Sequence, residues 1–325
     1  MARENRKTNT NKPGLHVLVM GGLGFIGSHL SRKLLRLGYR VRIFDKLYTS
    51  KHLISDIVRQ VEVVEGDVAK SADVLQSLEK IDVAIHLIHT TVPGSSMQDP
   101  VYDVESNVVS CTRWLPYLRN TDLKRIIYVS SGGTVYGVPR NNPVSEDDPT
   151  EPICSYGITK LAIEKYIAMY SGLNGIEYRV CRPANAYGEG QRLNIGQGVI
   201  GVFLQRALKG ETIEIWGDGT SKRDYIYVED LVYGVAELIH HEGAERVFNI
   251  STTVGYSLND IVAIIRNKIN IPITVEYMPS RGFDVPLNIL DNSRLQRATN
   301  WAPKTSLEEG IRRVYKWLQT TISDK

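Results

Sequence analysis

Apolar positions first gather at residues 16–20 (HVLVM), an unbroken run that meets a cluster of glycines. From Phe25 the period changes. Ile26, Leu30, Leu34 and Leu37 recur at helical spacing, and Gly38 supplies a stop. Residues 39–45 (YRVRIFD) then read as a second strand, and further strands are predicted at 61–67, 82–88, 125–131 and 177–183. Helical patterns fill the gaps, most clearly around 102–119 and 155–171. Strands and helices that alternate in this way predict a doubly wound α/β fold, a parallel sheet covered on both faces. After about residue 183 the rhythm loosens into segments rich in Gly, Asn and Asp, such as NAYGEGQRLNIGQG, which read as loops around a ligand cleft. Helices are expected again near 199–209, 229–241, 257–268 and 306–319. The pattern divides the chain into a polar, basic leader at 1–14, a Rossmann-type domain at 15–183 and a smaller α/β substrate-binding lobe at 184–325. Some segments of the last are expected to return to the first lobe.

The chain has 325 residues, of which 42% are apolar and 23% charged. That is ordinary globular composition, and the length favours two lobes over one core. The formal charge of +3 comes from 39 basic and 36 acidic residues. No long basic run concentrates it, which argues against nucleic acid as a partner. No apolar stretch approaches the roughly 18 residues that span a bilayer, and the leader lacks the apolar segment of a secretory signal. Cys111, Cys154 and Cys181 are odd in number and widely spaced, without a metal-ligand pattern or a disulfide framework. A reducing cytoplasm is the expected setting. His86, His89, His240 and His241 show no metal spacing and are expected in solvated or structural roles, and no metal site is predicted.

Gly21, Gly24 and Gly27 stand as GxxGxxG between the first strand and the first helix. One glycine permits the tight turn, one admits a pyrophosphate to the backbone, and the last lets helix and strand pack closely. The helix start, with Phe25 and Ile26, offers N–H groups and partial positive charge to phosphates. Asp45 ends the second strand, 18 residues after Gly27. There a carboxylate can bond a ribose 2′-hydroxyl and repel a 2′-phosphate, so NAD is predicted rather than NADP. The same Asp45 could instead cap a turn, and Lys46 beside it adds a cation. Asp67 and Val68, after the third strand, are placed to edge an adenine.

Tyr156 and Lys160 form YxxxK at the start of a helix, a spacing that puts both on one face. Free tyrosine, near pKa 10, is a poor base at neutral pH. A neighbouring ammonium favours the phenolate, and lowering the pKa by about 3 corresponds to roughly 4 kcal/mol. Tyr156 could then take a proton from a sugar hydroxyl while hydride leaves the same carbon.

Taken in order, GGLGFIGSHL (21–30), Asp45, GDV (66–68), HL (86–87), SSGGTVYG (130–137), YGITK (156–160), RPANAYG (182–188) and RDYIYVEDL (223–231) resemble the extended short-chain dehydrogenase/reductase family, in particular its nucleotide-sugar 4-epimerases. The likeness runs from about residue 15 nearly to the end. It implies NAD-dependent epimerisation of a UDP-sugar through a 4-keto intermediate, with UDP-glucose/UDP-galactose or UDP-GlcNAc/UDP-GalNAc as the pair. It also implies a homodimer built on the helices around 102–119 and 155–171, where Trp114, Leu115 and Leu118 read as core or interface. Leu87 and Asn107 join the implied cofactor site. Asn185, Val199, Trp216, Arg223, Arg281, Asp284 and Asn288 are the implied substrate contacts, with the two arginines on the diphosphate, Asp284 on the ribose and Trp216 near the base. Asn288, smaller than the aromatic residue found there in relatives, implies room for an N-acetyl group.

One departure stands out. Where related epimerases carry a Ser or Thr that bonds the reacting hydroxyl, this chain has Gly132, so that Thr134, Ser131 or a water must take the role, Thr134 being the first choice. The acidic pair of the related 4,6-dehydratases is also missing, since Gly133 and Thr134 occupy those places. A nucleotide-sugar reductase or dehydrogenase, or an NAD-binding regulator without catalysis, are the rival readings.

Overall fold

A computed structural model describes residues 14–193, 198–280 and 285–323. Arg281, Asp284 and nearly all of the 1–14 leader lie outside these residues. The chain opens with His16–Met20 (β1), followed by Arg40–Asp45 (β2), Glu62–Glu65 (β3), Val83–His86 (β4), Arg125–Val129 (β5) and Glu177–Pro183 (β6). Asn185–Tyr187 (β7), Ile213–Trp216 (β8), Lys222–Tyr227 (β9), Val247–Ile250 (β10), Gly255–Ser257 (β11), Val275–Met278 (β12) and Leu287–Asn288 (β13) follow. Seven of these form one parallel sheet in the order β10-β6-β5-β4-β1-β2-β3.

Alternation within single strands shows why the sheet is covered twice. Val17 and Val19 of β1 join Leu30 and Leu34 of the helix Phe25–Arg36 on one face. Leu18 and Met20 point the other way, into a cluster with Trp114, Tyr128 and Ile163. All five residues of β1 are buried, as a central parallel strand requires. The helix Val228–Glu237 packs on Phe25–Arg36 through Leu231 and Val235, and β10 extends the sheet beyond β6, so residues past 183 return to the first lobe. β10 was not anticipated as a strand, since VFNI is short and interrupted by Asn249.

The stretch read as one helix over 102–119 is a composite: helical at Pro100–Asp103, a wide π segment at Val104–Val109, α again at Ser110–Trp114 and 3-10 at Leu115–Asn120. Trp114, Leu115 and Leu118 are buried in the core of the chain itself, which settles their side of the core-or-interface question. In the second lobe β9 lies between β11 and β13 and also pairs with β7, with β8 and β12 paired separately. Ile200, Phe203, Leu204, Ile261, Leu307, Ile311 and Val314 form its core. Among the described residues, no helix is long and apolar enough to cross a membrane.

Candidate active site

The carboxyl ends of β1, β4, β5 and β6 face the second lobe across a cleft of about 800 Å³. Such a crevice is where open α/β sheets bind ligands. Gly21 turns at φ +88°, a conformation only glycine adopts freely, while a Cβ on Gly27 would lie 2.2 Å from the Gly21 oxygen. Both glycines therefore hold the helix Phe25–Arg36 tightly on the turn. No side chain caps this helix at Gly24, so its first amides stay available, and Gly21, Gly24, Phe25, Ile26 and Gly27 all line the cleft. Asp45 lies against the same turn, where its carboxylate accepts hydrogen bonds from the Leu23 N–H (2.9 Å) and the Lys46 N–H (2.9 Å). Bare helix amides beside a carboxylate fit the pyrophosphate and ribose of a dinucleotide.

Leu87 also lines the cleft. Asp45, Lys46, Asp67 and Val68 sit at the strand ends beside it rather than on its wall. The Asp67 carboxylate accepts from the Ala69 N–H (2.9 Å), and Lys46 is exposed. Asn107 is a different case. It is buried, its amide oxygen accepting from the Thr90 N–H (2.9 Å) and its Nδ2 donating to Asp103, so it holds the loop after β4 in place.

Tyr156 and Lys160 enter from the helix Ser155–Asn174, with Glu164 one further turn along. Lys160 Nζ donates to the Val129 carbonyl (2.9 Å) at the end of β5 and stands 5.7 Å from the centre of the Tyr156 ring. The helix face thus delivers both groups as their spacing predicts. Their protonation does not follow the expectation, however. Burial pushes the Tyr156 phenol above its ordinary value, helped by the neighbouring Cys154 and Asp103. Burial also draws Lys160 down to about 7, against the pull of Glu164 and Asp103. The cause is desolvation: both groups favour their neutral forms, and this outweighs the attraction that spacing alone suggests.

Behind the pair lies a buried network absent from the sequence reading. Glu164 accepts from Ser130 Oγ (2.5 Å) and from Arg182 Nε (3.1 Å) and Nη2 (2.7 Å), and Arg182 Nη1 donates to the Tyr136 hydroxyl (3.0 Å). This fixes the start of the SSGGTVYG turn. The position of Glu164, four residues after Lys160 on the same face, was the available signal.

The turn places the two candidate hydroxyls differently. Ser131 lines the cleft with Tyr156 and Lys160, whereas Thr134 does not, and its Oγ1 is buried with no hydrogen-bond partner among the described residues. Thr134, the first choice from sequence, is therefore turned away from the cleft. Gly132 has no space for a side chain, since a Cβ there would lie 2.3 Å from Leu290 Cδ1. Asn288 is buried beneath this turn, with Nδ2 donating to the Gly132 carbonyl (3.4 Å), and it does not line the cleft. The reason is register: β13 pairs with Lys222 and Arg223 of β9 and so carries Asn288 behind Gly132. Asn185, Val199, Trp216 and Arg223 do line the cleft, joined by Gln191, Phe203 and Tyr225, which the sequence did not single out. Glu214 is the one carboxylate on the wall among the described residues, and it is paired with Arg206 at 3.2 Å. No group of His, Cys, Asp and Glu among the described residues is arranged to hold a metal ion.

The model of the NAD dependent epimerase/dehydratase family matches residues 17–251, and the chain belongs to that family. UDP-glucose 4-epimerase of Mycolicibacterium smegmatis is 33% identical over 94% of this chain and 99% of its own length. The dTDP-4-dehydro-6-deoxyglucose reductase of Escherichia coli is 32% identical over 92% of this chain and 96% of its own. The crystal structure of UDP-glucose 4-epimerase from Thermotoga maritima with UDP-glucose superposes with a TM-score of 0.88 at 32% identity, covering 95% of this chain and all of that one.

Proposed function

We propose that this NAD-dependent enzyme interconverts the C4 epimers of a nucleotide hexose, with UDP-glucose and UDP-galactose as the first pair to test and the N-acetylated pair as the second. The reading is carried by the meeting of Tyr156, Lys160 and Ser131 with the glycine turn in one cleft whose only carboxylate among the described residues is tied to Arg206. A dehydration would need an acid near the sugar, and none lines the cleft beside Ser131 among the described residues. The chemistry that NAD supplies when bound at the glycine turn is reversible removal of hydride from C4.

Tyr156 takes the C4 hydroxyl proton as the ketone forms and later returns it. Ser131 Oγ, in the role left open by Gly132, bonds the same oxygen. Lys160, held by the Val129 carbonyl, orients the phenol and supplies positive charge when protonated. Hydride and proton both return, so the reaction is redox-neutral overall. Asn185, Val199, Trp216 and Arg223, with Arg281 and Asp284, hold the nucleotide and diphosphate while the 4-keto sugar turns over. The N-acetylated pair rests on the smaller residue at Asn288 alone, whose burial weakens that support.

An apolar strip on the outer face of the helix Ser155–Asn174, with Ile158, Met169 and Leu173 exposed beside Val101 and Tyr102, supports a homodimer. Free Cys111, Cys154 and Cys181 suit a reducing, cytoplasmic setting.

The test is product analysis with a panel of UDP- and dTDP-sugars. Epimer formation without net consumption of cofactor is expected, with NAD released on denaturing the purified protein. No conversion of any UDP-sugar would refute the reading. Stoichiometric NAD(P)H oxidation on a 4-keto sugar would establish instead the reductase reading, which the Escherichia coli relative favours.

A further inference from the structure

Two buried groups on the wall side of Tyr156 have no part in that scheme. His89 follows β4 and lines the cleft, yet its side chain is only 5% exposed. Its ring stands edge-on to the Tyr156 ring, with centroids 4.6 Å apart and planes at 75°. This T-shaped arrangement is a favourable one for two π-systems. Neither ring nitrogen has a hydrogen bond of normal length among the described residues, and Nε2 lies 3.6 Å from Asp103 Oδ1.

Asp103 is fully buried and acts as a knot between three elements. Its Oδ2 accepts from Ser155 Oγ (2.7 Å) and Thr159 Oγ1 (3.2 Å) on the catalytic helix. Its Oδ1 accepts from Thr91 Oγ1, in the loop that carries His89, and from Asn107 Nδ2 (3.0 Å). Ser155 and Thr159 bracket Tyr156 in the first turn of the catalytic helix. The carboxylate therefore fixes both the backbone that presents the phenol and the imidazole that rests against its ring.

We propose that His89, anchored by Asp103, is a positioning residue that sets the orientation of the Tyr156 phenol toward the sugar. The inference rests on the reading of Tyr156 as the proton carrier. Charge does not enter into it. Burial and the nearby Lys160 draw His89 down to about 4, so the imidazole is neutral at working pH. Burial opposes ionisation of Asp103, but hydrogen bonds from His89, Thr91 and Ser155 outweigh it and draw the carboxyl down to about 2. The pair therefore acts through geometry.

The test compares His89→Ala, His89→Phe and Asp103→Asn in the full-length protein carrying its NAD. In His89→Ala, kcat is expected to fall about ten- to hundredfold, the scale of a misplaced reacting group, with KM for the UDP-sugar unchanged. His89→Phe keeps an aromatic edge and should recover most of kcat. In protein labelled with ¹³C-tyrosine, the Tyr156 ring signals, assigned with Tyr156→Phe, should move in His89→Ala and return in His89→Phe. Asp103→Asn and His89→Ala together should be no worse than Asp103→Asn alone. Unchanged kcat and unmoved Tyr156 signals in His89→Ala would overturn the proposal, as would multiplicative effects in the double variant. If the wild type turned over no UDP-sugar, the functional reading would fall, while the Tyr156 signals would still decide the role of His89.

Discussion

Replacing Gly132 by serine tests whether the missing hydroxyl can be restored where related epimerases carry it. A Cβ at 132 would stand 2.3 Å from Leu290 Cδ1, 3.0 Å from the Arg182 carbonyl oxygen and 3.2 Å from that of Pro183. Leu290 is fully buried, so its methyl has little space to yield. The turn cannot retreat either, since the Gly132 N–H donates to the Pro183 carbonyl (2.9 Å) and its own carbonyl accepts from Asn288. Overpacking of this kind costs about 1–3 kcal/mol. Gly132→Ser should therefore lower unfolding free energy by about that amount without raising kcat. Leu290→Ala alone leaves a cavity costing about 2–5 kcal/mol. Combined with Gly132→Ser it should cost less than the sum, with a coupling of about 1 kcal/mol or more. Urea unfolding of the four proteins measures the cycle, and the product assay runs beside it. A Gly132→Ser enzyme as stable as wild type that also restored turnover to Ser131→Ala would refute the steric account and return the catalytic hydroxyl to position 132.

Further outcomes follow from the same geometry. Ser131→Ala should lower kcat about 100-fold or more, the scale for losing one donor at the reacting oxygen, whereas Thr134→Val should leave kcat unchanged and raise stability slightly because it removes an unpaired buried hydroxyl. Lys160→Met should gain stability over wild type at pH 6. The folded lysine sits at about 7 instead of 10.5, so between those values the unfolded chain binds a proton that the fold rejects, and wild-type stability rises with pH. The difference, at most ~5 kcal/mol at low pH, should close only as pH rises past 10.5 in urea titrations, and a gap independent of pH would rule it out. On the proposed homodimer, wild type should sediment as a dimer and Ile158→Asp with Leu173→Asp as a monomer, and a monomeric wild type or an unchanged mass in the variant would refute a dimer through that face.

Legibility in the sequence followed the range of each interaction. β1, β4 and β5 are mainly apolar runs that could be read directly. β2, β3 and β6 were legible despite their charged residues because turn signals and helical patterns bound them. The glycine turn and Tyr156–Lys160 are local patterns whose geometry is fixed within a turn. The placement of Asn288 and Asn107 was not legible because it depends on contacts from distant elements: β13 on β9 for Asn288, and the packing of the 100–120 segment on the loop after β4 for Asn107. His89 and Asp103 are 14 residues apart and meet only when that segment folds back, although a residue just beyond the carboxyl end of β4 was already a place to look.

The protonation of Tyr156 and Lys160 shows why spacing alone misleads. An i, i+4 arrangement establishes that an ammonium can approach a phenol, but not whether either is charged. Here burial raises the phenol and draws the lysine down to about 7, so the proton uptake proposed for Tyr156 depends on positive charge close by, which Lys160 supplies when protonated. A lysine at about 7 can shift toward its charged form with little cost when negative charge develops on Tyr156.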